Sequence, residues 1–120
     1  MTTLIVDAAN VVGSRPDGWW KDRAGAARRL HEQLLVADLP YDEVVVVLEG
    51  AAKGGTKAGR DGHVRTVHAK GAGDETIVEQ ARAAAAKGRT VVVTADRMLQ
   101  ARVGGVGAQA LSPSWLLDQL

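Results

Sequence analysis

The run Glu43-Val44-Val45-Val46-Val47-Leu48 limits this chain more than any other stretch. Four consecutive β-branched residues favour a strand, and apolar character without alternation means that both faces of the strand are buried. A strand covered on both sides belongs inside a parallel sheet. Residues 3–6 (TLIV) and 90–93 (TVVV) repeat the pattern. Residues 64–68 (VRTVH) are more polar and are expected nearer an edge, and 107–111 (GAQAL) are a candidate fifth strand.

Helical patterns separate these runs. Ala24, Ala27, Leu30, Leu34 and Leu35 recur at three- and four-residue spacings and predict a helix over 21–37, with Asp22 favourably placed near its positive end. Ile77, Val78, Ala81, Ala84 and Ala85 predict another from Asp74 to about Lys87, with Gly88 as its expected stop. A short helix is expected after Asp96 as far as Val103, and Pro113 is placed to open a terminal one. Residues 11–20 and the Gly-rich stretch 50–63 are expected to be loops, the second flexible.

Alternation of this kind builds an α/β fold: a three-layer α/β/α sandwich around a central, mostly parallel sheet of about five strands. At 120 residues the chain has the size of one domain, expected over 1–120. The absence of Cys excludes disulfides and thiolate metal sites. No apolar stretch approaches the roughly 20 residues of a membrane helix, and the N-terminus lacks the pattern of a signal peptide. A cytoplasmic protein without membrane attachment is the expectation.

Open parallel sheets bind ligands at the carboxyl ends of their strands. Asp7 ends the first strand, Glu49 follows the second, Asp74 opens the helix after the third, and Asp96 lies just past the fourth. Carboxylates gathered on one edge repel one another unless a cation joins them. Hard oxygen donors without Cys select Mg²⁺ or Mn²⁺, ions that activate water and stabilise charge on a phosphate. Each acid also has a plainer use. Asp74 and Asp96 open helices, where N-capping alone is the lesser alternative, and for Glu49 the alternative is a strand terminator. Asp7 directly follows Leu-Ile-Val and needs a partner if buried. Asn10 either orients Asp7 or a bound water, or closes an Asx-turn.

These motifs resemble a known family. The set comprises D-x-x-N at Asp7–Asn10, the acidic-Gly pair Glu49-Gly50, G-D-E at Gly73–Glu75 and T-A-D-R at Thr94–Arg97. In that order they resemble the NYN domain of the PIN-like nuclease superfamily, in particular its small bacterial YacP-like branch. The resemblance covers nearly the whole chain, and its specificity lies in the ordered set, not in any single motif. It implies a metal-dependent endoribonuclease acting on RNA, including RNA on the ribosome. Asp7, Asp74 and Asp96 match the family's acidic metal ligands, Asn10 its first-motif Asn, and Thr94 the hydroxyl residue of its last motif. Glu49 stands where relatives often have Asp, so Glu75 is a rival for the fourth position.

Net charge is only +1, so any nucleic-acid interface depends on how charge is distributed. Lys53, Lys57, Arg60 and His63 lie in the Gly-rich stretch, Arg15, Lys21 and Arg23 near the loop after the first strand, and Arg97 beside Asp96. Lys53, Lys57, Arg60, Arg23 and Arg97, with Asn10 and Thr94, are the candidate substrate contacts. The alternative for the loop is a solvated segment without function. Trp19 and Trp20 either stack on a base or pack over the sheet edge, with packing favoured for at least one of them. Trp115 is expected in the core, and His31 on a solvated helix face. His68 ends a strand near the site. Gly50–Lys57 is a poor P-loop, because Thr56 precedes Lys57 and reverses the required order.

Two other functions fit parts of the pattern. A nucleotide pyrophosphohydrolase or phosphatase uses the same metal chemistry, though the Glu-rich helices of the all-α type are missing. A non-catalytic RNA- or ribosome-binding module gains nothing from repulsive carboxylates. The Ala-rich helix from 74 packs either on the sheet or on a second copy of the chain as a homodimer.

Overall fold

A computed structural model describes all 120 residues. Six strands form one sheet: β1 (Thr3–Asp7), β2 (Glu43–Leu48), β3 (Gly59–Asp61), β4 (Val64–His68), β5 (Thr90–Val93) and β6 (Gln109–Leu111). Their spatial order is β3-β4-β2-β1-β5-β6, and every pairing except β3·β4 is parallel. The helices are α1 (Ala8–Gly13), α2 (Arg23–Val36), α3 (Gly73–Ala85), α4 (Arg97–Gly105) and α5 (Pro113–Leu117).

The valine runs are buried on both faces. On one side Leu4, Val6, Val44, Val46, Val91 and Val93 pack with residues of α1, α2 and α5, including Val11, Leu30, Leu34 and Leu116. On the other, Ile5, Val45, Val47 and Val92 pack with Ile77, Val78, Ala81, Leu99 and Val103 of α3 and α4. Odd and even positions of each strand therefore feed two separate cores, which is why the sequence shows no alternation. On α3, Ile77, Val78 and Ala81 are buried against the sheet, while Ala83 is exposed. No helix is long and apolar enough to cross a membrane.

Several expectations need correction. Residues 8–13 form α1 directly from the end of β1, where a loop was expected from residue 11; Asp7 caps it and buried Val11 and Val12 hold it down. The Gly-rich stretch carries regular secondary structure where a loop was expected. Gly50–Gly54 is a 3₁₀ helix lying against α2, and Gly55 sits so close to it that a Cβ there would fall 2.2 Å from the Ala24 carbonyl oxygen. Beyond it β3 forms a hairpin with β4 around Gly62, whose φ of 59° only glycine adopts readily. This hairpin makes β4 an interior strand. Helix α3 stops at Ala85, and Gly88, which has no left-handed φ, packs against Met1 instead of terminating the helix. His31 is buried, with Asp61 of the hairpin 3.7 Å from its ring.

The chain leaves β1 toward one face of the sheet and leaves β5 toward the other. This reversal opens the crevice where such sheets place their ligands. Asp7 and Thr94 flank it.

Candidate functional site

Asp7 is the centre of this edge. It is 5% exposed, and its carboxylate is held by three donors. Thr94 Oγ1 donates to Oδ2 at 2.8 Å, Asn10 Nδ2 donates to Oδ2 at 3.1 Å, and the Asn10 backbone N–H donates to Oδ1 at 3.4 Å. The second layer is equally committed. Thr94, fully buried, accepts from the Asp96 N–H at 3.2 Å, and Asn10 Oδ1 accepts from the Ala95 N–H at 3.1 Å. The turn after β5 is thus tied to the end of β1 through two side chains. Asn10 is an orienting residue that also begins to close α1.

No basic side chain neutralises Asp7; the ion pairs of the molecule lie elsewhere. Burial pushes its carboxyl above the usual carboxylate range. The hydrogen bonds from Thr94 and Asn10 oppose that shift, and the charges of Asp74 and Glu49 add to it. Those two acids are therefore electrostatic neighbours of Asp7. Glu49 has a second role: its Oε2 accepts from the Gly73 N–H at 2.9 Å, so it caps α3 from another part of the chain. Asp74, in the first turn of α3, is exposed and does not cap it.

Asp96 caps α4, its Oδ1 accepting from Met98 and Leu99 N–H at 2.9 and 3.1 Å. It joins Asp7 through Thr94 and is not among the charges that shift it. Glu75 turns away to Arg102 at 2.8 Å, whereas Glu49 stays on the wall of the cleft and acts on the charge of Asp7. As the side chains stand, no three of His, Asp and Glu converge tightly enough to enclose an ion.

The basic residues separate into two groups. A cleft of about 670 Å³ adjoins the acids, with Ala8, Ala9 and Glu49 on its wall and Arg23, Lys53 and Lys70 around it. Lys70 escaped sequence reasoning; its position between β4 and the Gly-rich start of α3 is the signal that marks it. Arg60 is not part of this edge. It pairs with Glu43 at the opposite end of β2, and Arg65 joins them at 3.3 Å. Six residues of strand, about 20 Å, separate Glu43 from Glu49. Burial raises the Glu43 carboxyl, but the two guanidinium groups outweigh it and hold the pKa below the usual range. Lys57 lines a separate cleft beside His31 and Asp61. His68 is turned to the Thr56 carbonyl, 2.8 Å away, and His63 to that of Leu34. Arg97 is exposed at the start of α4.

Trp19 lies partly buried against the core and lines the cleft, with the Arg23 guanidinium 5.1 Å from its ring centroid. Trp20 is 57% exposed and meets Trp19 edge-on. Trp115 packs half-buried beside Tyr41.

Two crystal structures of Rae1 (YacP) from Bacillus subtilis share this architecture. One superposes with a TM-score of 0.72 at 25% identity, covering 98% of this chain and 72% of the other. The W164L variant gives 0.64 at 22% identity, covering 98% and 74%. The fold is YacP-like. No family model matches the sequence, and no curated protein does.

Proposed function

We propose that this chain is a metal-dependent endoribonuclease of the PIN-like, NYN type, hydrolysing single-stranded RNA at the edge centred on Asp7. One observation carries the reading. A buried carboxylate without a basic partner faces two further carboxylates, beside a cleft rimmed by Arg23, Lys53 and Lys70. Such an arrangement is costly in a protein that does not use it. The likeness to Rae1 (YacP) supports the YacP-like assignment, while function has to be argued from the site.

The donor chemistry fits Mg²⁺ or Mn²⁺. Magnesium keeps several waters and uses one or two carboxylates plus substrate phosphate, so a ready-made cage of three acids is not required. Asp7 would hold the ion together with Glu49 or Asp74. When bound, it supplies an activated water and stabilises charge on the phosphate. The protein's own contribution is orientation. Thr94 and Asn10 fix the Asp7 carboxylate in one direction, and Asp96 fixes Thr94 through its backbone N–H. The cations around the cleft draw the polyanion to this edge. RNA on the ribosome is one form the substrate can take.

A non-catalytic RNA-binding module is the second reading. It is favoured by the structural duties of these acids, since Asp7, Glu49 and Asp96 each accept backbone hydrogen bonds at helix starts. Calorimetry with Mn²⁺, combined with cleavage assays on several single-stranded RNAs, separates the two. The enzyme reading expects Mn²⁺ binding that Asp74→Asn weakens, and metal-dependent cleavage. Tight RNA binding without Mn²⁺ affinity or cleavage refutes it. Phosphate released from nucleoside triphosphates, with RNA left intact, points to the pyrophosphohydrolase alternative.

A further inference from the structure

We infer that the cleft beside Asp7 is a nucleobase subsite, which holds one unstacked base of the RNA against the Trp19–Arg23 pair while Lys53 and Lys70 contact the adjoining phosphates. The inference rests on the RNA reading above and specifies how that substrate is gripped.

Three observations converge. The first is size: about 670 Å³ lies within the roughly 300–1,000 Å³ typical of small-molecule sites and leaves room for a base with its sugar. The second is the division of its lining. Ala8, Val12, Ala27 and Ala52 give an apolar floor, whereas the charges are Arg23, Lys53 and Lys70, with Glu49 toward the acids. A site for phosphate alone has no need of an apolar floor; a base with a charged backbone requires both. The third is the planar pair. Arg23 lies over the Trp19 ring, so an indole and a guanidinium are already arranged beside the cleft. Unstacked bases are held against such planes in single-stranded RNA recognition.

The position also suits the chemistry. Ala8 and Ala9 directly follow Asp7, and Gly50 follows Glu49, so the cleft opens where the acids lie. A base seated there brings a neighbouring phosphate toward the Asp7 edge, and binding a base in a pocket orients the chain for in-line attack.

The test uses the whole protein in EDTA, so that binding is read without cleavage. Fluorescence anisotropy compares a short single-stranded RNA with an oligomer of the same length and charge whose interior nucleotides are abasic. Wild type is expected to prefer the intact RNA by about tenfold, the size of one base–aromatic stack. Trp19→Leu, which keeps apolar bulk, removes most of that preference and leaves abasic binding unchanged. Arg23→Lys, exposed and charge-conserving, lowers the preference in the same direction and decides the matter if circular dichroism shows Trp19→Leu unfolded. Equal binding of the two oligomers by wild type overturns the subsite. So does an equal loss for both oligomers in the variants. A protein that prefers intact RNA yet never cleaves it keeps the subsite and loses the nuclease; one that cleaves without base preference does the reverse.

Discussion

Replacing Asp7 by Asn should make the folded protein more stable at neutral pH while removing its activity. The structure allows the opposing contributions to be weighed. An Asn side chain can keep its oxygen at the Oδ2 position, retaining the bonds from Thr94 at 2.8 Å and Asn10 Nδ2 at 3.1 Å. It loses the acceptor for the Asn10 N–H, a long bond of 3.4 Å worth about 0.5 kcal/mol. Against that loss stands the removal of a charge that burial, Asp74 and Glu49 all disfavour. Stabilising single substitutions, charge optimisation among them, commonly gain about 0.5–2 kcal/mol, and at functional sites the accompanying cost is lost activity. A net gain near 1 kcal/mol corresponds to a Tm rise of about 4 °C at this chain length. The pH dependence identifies the cause. Because the folded-state pKa of Asp7 lies above 3.8, the native protein binds the extra proton between that value and its own raised one. Wild-type stability therefore falls as pH rises through this window and levels off above it. The variant lacks this titration, so its advantage is complete at neutral pH and disappears below pH 3.8, where only the lost cap bond remains. Thermal melts in EDTA across this range provide the assay. A variant less stable than wild type at neutral pH, or a difference that ignores pH, would refute the reasoning.

Other perturbations examine the supporting structure. Thr94→Val removes the donor to Asp7 and the acceptor for the Asp96 N–H in a fully buried position; denaturant melts should show a loss of about 2–3 kcal/mol, and no change in stability would contradict the network. Asp96→Ala should cost about 0.5–2 kcal/mol through the lost α4 cap, whereas Asp96→Asn should keep most of that stability; equal melting losses in the two would show that capping is not what Asp96 provides. Lys53→Ala and Lys70→Ala should each reduce the slope of RNA affinity against salt by about 0.7. Arg60→Ala, at the far end of β2, should leave that slope unchanged.

Strand positions and the acidic edge were readable because both follow from local pattern. The valine runs admit only buried strands, and parallel strands bring their carboxyl ends together, so Asp7, Glu49, Asp74 and Asp96 fall on one side. Long-range partners were not readable. Helix α1 has six residues, too few to show a helical period, and it exists because Asp7 caps it and Val11 and Val12 are buried. The β3–β4 hairpin was announced by Asp61-Gly62, but the glycines before it masked the signal. That omission misplaced Arg60 and Lys57, and it left His31 expected in solvent, because its partner Asp61 comes from the hairpin. The different surroundings of Glu49 and Glu75 come from tertiary contacts, with the Gly73 N–H holding one and Arg102 the other.

Single-turnover cleavage of a single-stranded RNA in Mn²⁺, comparing wild type with Asp7→Asn, tests the central claim most directly. Metal-dependent cleavage is expected from wild type, and background rates from a variant whose melting temperature shows it fully folded. Cleavage by the folded variant at the wild-type rate would contradict the claim.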